Sequence, residues 1–293
     1  MEASGGLGNQ LFIYTAGRYL AEKFNCELQI DLGPVGLSGQ KHGILIDKLG
    51  LGGKFYLSTP NLKKYKKIVF RIIYFISRNF EFGRKFINLF GKYYYAKDIG
   101  FDDALERRSY GKTIRGYFQT WKYFEPISSH LRNEIKLSNP SPWFKELENI
   151  FLETKPIVLH IRLGDYLTVG GKFGVLHSDY YLEAITLITK QLRNKEIWVF
   201  SDDIELAKQI FKETVNTNLK WASPSSDSSA EESLLLMSLG SGIIIGNSTF
   251  SWWAAILNKN DPTVVAPKNW FKGAATPRDL FPPNWHLIEN SWN

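Results

Sequence analysis

The sequence has little cysteine, no long apolar run and one segment nearly free of acid. Cys26 is its single cysteine, so no intramolecular disulfide can form and the stapled design of small secreted domains is excluded. No stretch approaches the roughly 18 apolar residues that a bilayer span requires, and the most apolar run, 68–76, is broken by Arg71. The opening "MEASGGLGNQ" lacks the basic and then apolar pattern of a secretory leader. Together these absences point to a cytoplasmic protein. The five histidines form no pair at metal-ligand spacing, and there is no G-x-x-x-x-G-K loop, which excludes a P-loop enzyme.

Acid is scarce between residues 61 and 95, where nine lysines and arginines stand against Glu81 alone. The remainder of the chain is close to neutral, since the whole carries +7. Phenylalanines and tyrosines interleave the basic residues, a composition that suits either amphipathic helices with solvated lysines or peripheral contact with an anionic membrane. No base-reading motif accompanies the charge, so nucleic acid is not expected as a partner.

At 293 residues the chain is long for one core and comfortable for two domains of about 140 residues each. The prolines and polar residues of "KLSNPSPW" (136–143) divide it into an N-terminal domain, 1–140, and a C-terminal domain, 141–293. Beyond the divide, apolar strand patterns alternate with helical ones. "PIVLHI", "EIWVF", "LKWAS", "GIIIG" and "TVVAP" read as strands, with helices at 179–192, "DDIELAKQIF", "SAEESLLLMSLG" and "TFSWWAAILN" between them. This is the pattern of a parallel, Rossmann-like α/β sheet. The N-terminal half is less regular: "GGLGNQLF" opens a helix, followed by the strand-like "CELQIDL" and "KTIRGYFQTW".

Open parallel sheets bind ligands beyond the C-terminal ends of their strands, and three of those ends are polar here: "HIRLGD", "FSDD" and "GNSTFS". Arg162, two residues past His160, lies on the same side of an extended strand. Gly164 allows close backbone approach, and Asp165 can orient the guanidinium, whose fork matches a pair of phosphate oxygens. Asn247, Ser248, Thr249 and Ser251, around Phe250, crowd the start of a helix whose N-terminus suits a pyrophosphate. Of the adjacent Asp202 and Asp203, one is the natural cap of the next helix; a metal pair is the alternative. In the N-terminal loop, Gly5, Gly6 and Gly8 permit close approach and present Asn9 and Gln10, unless Asn9 merely caps the helix.

Taken in order, "GGLGNQLF", "GYFQTWKYF", "HIRLGDY", "FSDD" and "NSTFSWWAAIL" resemble the bacterial α-1,2-fucosyltransferases of glycosyltransferase family 11 over nearly the whole chain. The resemblance implies a two-domain glycosyltransferase-B-type fold, GDP-β-L-fucose as donor, no cofactor or metal, and inverting transfer to the 2-hydroxyl of a terminal galactose in a glycan. It places Arg162 on the donor β-phosphate, His160 and Asp202 or Asp203 near the guanosine, and Ser248, Thr249, Phe250 and Ser251 along the pyrophosphate and fucose. Gly6, Gly8, Asn9 and Gln10 then belong to the sugar and acceptor side. Asp165 is a candidate base by position. Family members begin with a short apolar strand before "GGLGNQ", and only "MEAS" stands there in this chain. A non-catalytic nucleotide- or glycan-binding protein and a metal-dependent transferase using "SDD" are the competing functions.

Overall fold

The computed structural model describes residues 1–33, 43–58, 80–168, 173–192, 196–212 and 219–293. Most of the basic stretch before residue 80 therefore lies outside the described residues. Contacts group the chain into two units. The first comprises Met1–Asp47, Leu51–Leu131 and Pro277–Leu280; the second comprises Lys48–Gly50, Arg132–Thr276 and Phe281–Asn293.

The first unit opens with helix α1 (Leu7–Phe24), which turns Ile13, Ala16 and Leu20 into a core shared with Tyr94, Ile114 and Phe118. Its strands are short: β1 (Gln29–Asp31) pairs in parallel with β2 (Lys54–Tyr56), and β3 (Tyr93–Tyr95), which follows α2 (Glu81–Phe90), pairs with β4 (Thr113–Arg115). Residues 1–3 run between the two pairs. The Met1 carbonyl accepts from Asp31 N–H at 2.8 Å, Ala3 N–H returns to Asp31 at 2.9 Å, and Glu2 N–H reaches Ile114 at 3.0 Å. The few residues before the glycines thus take the strand position expected there. Short helices α3 (Leu105–Arg108) and α4 (Ser128–Glu134) follow.

The main segment of the second unit begins at Arg132, ahead of the boundary drawn at 140/141, and the prolines open its first long helix. Ser141 caps α5 (Pro142–Thr154) by accepting Phe144 N–H at 3.1 Å, and Pro142 occupies the first helical position, where no N–H is needed. Then come β5 (Ile157–Ile161), α6 (Gly164–Thr168), α7 (Ser178–Gln191), β6 (Ile197–Ser201), α8 (Ile204–Lys212), β7 (Leu219–Trp221), α9 (Ala230–Met237), β8 (Gly242–Ile244), α10 (Thr249–Leu257), β9 (Thr263–Pro267) and β10 (His286–Ile288). The six strands form one parallel sheet in the order β7-β6-β5-β8-β9-β10. β10 is a sixth strand that the pattern did not reveal.

Both faces are covered, which is why every residue of β5 is buried and all but His160 are apolar. Ile157, Leu159 and Ile161 pack against Tyr180, Tyr181, Ala184 and Ile188 of α7 and with Ala207 and Phe211 of α8. On the opposite face Phe151 of α5 meets Trp198 and Phe200 edge-on, while the His160 ring lies 5.7 Å from that of Phe250 on α10. From β5 the chain winds outward to β6 and β7, then returns to the other side of β5 for β8. The strand order reverses there, and a parallel sheet opens a crevice beyond the C-terminal ends of the two strands at such a point.

Candidate active site

Two of the three polar segments picked out by sequence leave β5 and β8 at that reversal. Arg162 follows the last residue of β5, and its Nη1 lies 3.1 Å from Oδ2 of Asp202 at the end of β6. The other oxygen of Asp202 accepts the Leu163 N–H at 2.9 Å. One carboxylate therefore fixes both the guanidinium and the backbone that carries it. Gly164 is required beside it, because a Cβ there would fall 2.3 Å from Asp202 Oδ2. The guanidinium also stands 5.5 Å from the centre of the Tyr166 ring, a cation–π distance. Tyr166 in turn donates to the Asn247 carbonyl at 3.0 Å, tying the loop after β5 to the loop after β8.

Asn247 is buried, and its amide donates to the carbonyls of Phe173 and Gly174 at 2.9 and 3.1 Å, while its Oδ1 has no hydrogen-bond partner. Ser248 caps α10, accepting the Phe250 N–H at 3.3 Å. The first turn of this helix carries no acidic side chain, so its positive end is not offset locally. His160 lies beneath Phe250 with Nδ1 buried and unpartnered. Burial first, and the nearby Arg162 charge second, push its pKa down to about 3, so the imidazole is neutral.

Several expected residues are engaged otherwise than the sequence implied. Asp203 accepts the Leu206 N–H at 3.0 Å and so caps α8. Asp202 is occupied by Arg162 and Leu163, the orienting role that sequence had offered to Asp165, whose side chain lies outside the described residues. Ser251 is fully buried and turns its hydroxyl to the Ser248 carbonyl at 3.2 Å, so it supports the turn from beneath. Thr249 and Phe250 are only partly buried at the helix start.

In the first unit the turn depends on Gly5, at φ +74°, where a Cβ would meet Asn9 Nδ2 at 2.5 Å. Gly6 is the extended residue before α1, and Gly8 is buried within it. Gln10 uses all four of its hydrogen-bonding positions: it donates to the Gly5 and Gly43 carbonyls and accepts from Leu45 and Ile46 N–H. It is a structural staple with nothing left for a sugar. Asn9 accepts from Gln119 Nε2 at 2.9 Å. Gln119 itself follows Phe118, a buried non-glycine residue at φ +52°, and its Oε1 is unpartnered. A strained backbone beside an open acceptor is a site feature the sequence reading missed.

Glu231 was missed as well. It lies in the first turn of α9, only 1% exposed, with neither carboxylate oxygen partnered. The next residue, Glu232, is by contrast saturated by the Ser229 capping box and by Ser141. Because α9 follows β7, its first turn sits at the same edge of the sheet as the crevice, and α9 packs against α10. Among the described residues no group of three or more His, Cys, Asp or Glu could hold a metal ion.

The sequence profile of glycosyl transferase family 11 matches residues 85–289. The chain belongs to this family, and it is a glycosyltransferase with an α/β fold of the glycosyltransferase-B type. An alpha-1,2-colitosyltransferase of Escherichia coli is 28% identical over 301 residues, covering 98% of this chain and 97% of the relative. The O-antigen biosynthesis glycosyltransferase WbnK of Escherichia coli is 43% identical over 119 residues, 39% of each chain. Among solved structures, a mutant of Arabidopsis thaliana FUT1 in complex with GDP aligns with a TM-score of 0.51 at 16% identity, over 92% of this chain and 71% of that one.

Proposed function

We propose that this glycosyltransferase moves L-fucose from GDP-β-L-fucose to the 2-hydroxyl of a terminal galactose in a glycan, with inversion. The observation that carries the reading is Arg162, held 3.1 Å from Asp202 at the sheet's point of reversal, where α10 also starts with no acidic side chain in its first turn. As the bond from the sugar's anomeric carbon to the phosphate oxygen breaks, negative charge collects on the departing GDP. A guanidinium already in place and a helix N-terminus stabilise that charge without rearrangement. The acceptor oxygen forms the new bond from the opposite face, and its proton passes to a base, for which Asp165 is the candidate by sequence position.

With Asp202 and Asp203 engaged elsewhere, Glu231 is the better carboxylate for the guanine. Its two unpartnered oxygens match the parallel N1–H and 2-amino donors of that base. Asn9 and Gln119 are assigned to the sugar and acceptor side. A second reading, transfer of colitose, is favoured by the full-length similarity to a colitosyltransferase. The test presents purified protein with GDP-fucose, GDP-activated colitose and UDP-sugars together with β-galactosides, and determines the product linkage by NMR. Release of GDP with an α-1,2-linked fucoside is expected. Preferential use of colitose would replace the sugar in this reading, and preference for a UDP-sugar would overturn it.

A further inference from the structure

Tyr166 on α6 touches both features that the second unit offers to a phosphate. Its ring centre lies 5.5 Å from the Arg162 guanidinium, and its hydroxyl donates to the Asn247 carbonyl at 3.0 Å. Asn247 immediately precedes Ser248, the cap of α10. Around this link the packing is firm. Phe173 lies nearly parallel to the Tyr166 ring, at 5.1 Å and 19°, and meets Phe271 edge-on at 5.8 Å. The Phe173 carbonyl accepts from the Asn247 amide at 2.9 Å, so Tyr166, Phe173 and Asn247 close a ring of contacts. Beside them Gly174 stands at φ +74°, where a Cβ would fall 2.4 Å from Cε3 of Trp292. Nearer the sheet, a Cβ at Gly246 would lie 3.2 Å from the His160 carbonyl and 3.4 Å from the Tyr181 hydroxyl. Close packing of backbone thus fixes the roots of the loops after β5 and β8, and Tyr166 joins them beyond the strand ends.

We propose that Tyr166 is a positioning residue for the departing diphosphate, holding the Arg162 guanidinium and the start of α10 at the spacing that one diphosphate requires. The proposal rests on the reading of the protein as a GDP-sugar transferase, but not on which sugar is moved. A diphosphate presents oxygens on two linked phosphorus atoms, so donors that reach both must keep a set separation. An error of about 1 Å in such a separation can cost on the order of 100-fold in rate. Asp202 anchors Arg162 to β6 and to the Leu163 N–H, whereas a tether to α10 runs through Tyr166. The two parts of the tyrosine have separate tasks. The ring neighbours the cation, and the hydroxyl reaches the peptide ahead of the helix. Phenylalanine at this position retains the first and loses the second.

The test is a double-mutant cycle in kcat on the full chain, run with whichever GDP-sugar wild type turns over. Tyr166→Phe is expected to lower kcat about ten-fold with donor KM within about two-fold, because the guanidinium still meets the bound diphosphate and its spacing matters most as charge develops. The variant should melt within a few degrees of wild type, since it loses one hydrogen bond and no ring. Placed on Arg162→Ala, the same change should cost less than about two-fold, because no guanidinium is left to be spaced. A ten-fold loss in both backgrounds would overturn the proposal and leave Tyr166 a residue of the fold alone. So would Tyr166→Phe turning over like wild type. Wild type that neither binds GDP in calorimetry nor releases it from a GDP-sugar would overturn the donor reading, and the proposal with it.

Discussion

Arg162 serves a departing diphosphate only if it is in place before the charge develops, and Asp202 supplies that placement. Arg162→Ala should lower kcat on the order of 100-fold, with a melting temperature near that of wild type because the pair is partly solvated. Arg162→Lys should rescue poorly, since it keeps the charge and loses the fork. Steady-state kinetics beside thermal melts decide this, and a variant within a few-fold of wild type would remove Arg162 from the mechanism. Glu231→Gln separates binding from folding in the opposite way. An unpartnered buried carboxylate does not help the fold, so the neutral amide should leave the melt unchanged or higher while donor KM rises; an unaltered KM would leave guanine recognition to other groups. For His160 the folded pKa of about 3 lies below the ordinary 6.5. The unfolded chain therefore takes up a proton below about pH 6.5 that the folded chain refuses, and stability is lost as pH falls from 6.5 toward 3, at up to about 1.4 kcal/mol per pH unit. His160→Phe keeps a ring beside Phe250 and should flatten that slope in urea melts between pH 6.5 and 4; parallel curves would show that other groups set it.

At the scale of elements, what could be read depended on how each one is buried. β5, β6, β8 and β9 lie in a sheet covered on both faces, so each is a short apolar run. β10 is three residues with His286 and Leu287 exposed, and such a strand carries no pattern. In the first unit the strands are equally short and gain their identity from partners distant in sequence, as Gln29 does from Lys54. The site divides in the same way. "HIRLGD" and "NSTFS" stood out because polar residues followed apolar strands, and the capping role of one aspartate in "SDD" was visible from the helix after it. The pairing of Arg162 with Asp202 was not visible, since it joins the ends of two strands, and Glu231 passed for an ordinary helix-opening carboxylate. The start of α10 is where element and function meet. Ser248→Ala removes the cap on Phe250 N–H and should cost about 1 kcal/mol, with a rise in donor KM because the helix start frays. A lower melt with unchanged KM would confine Ser248 to stability.

For the molecule as a whole, the remaining issue is how the charge of a nucleoside diphosphate is balanced. A metal-dependent transferase would use the adjacent aspartates, yet in this fold each is engaged in a different task. Asp202 holds Arg162 and Leu163, and Asp203 holds the first turn of α8. Recruiting both to a cation would release the arginine and uncap the helix together. The alternative balance uses what the sheet already presents: one fixed guanidinium, the start of α10, and a neutral His160 that adds no charge of its own. Turnover of GDP-fucose should therefore be unchanged in excess EDTA, and added manganese or magnesium should raise it less than two-fold, an increment below about 0.4 kcal/mol of barrier. The measurement is initial rate against chelator and against each metal, with Arg162→Ala run in parallel. If manganese restores the variant, a cation can substitute for the guanidinium while wild type works without one. If wild type loses turnover on chelation and regains it with manganese, the aspartates bind metal during the reaction and the charge balance drawn from Arg162 is wrong.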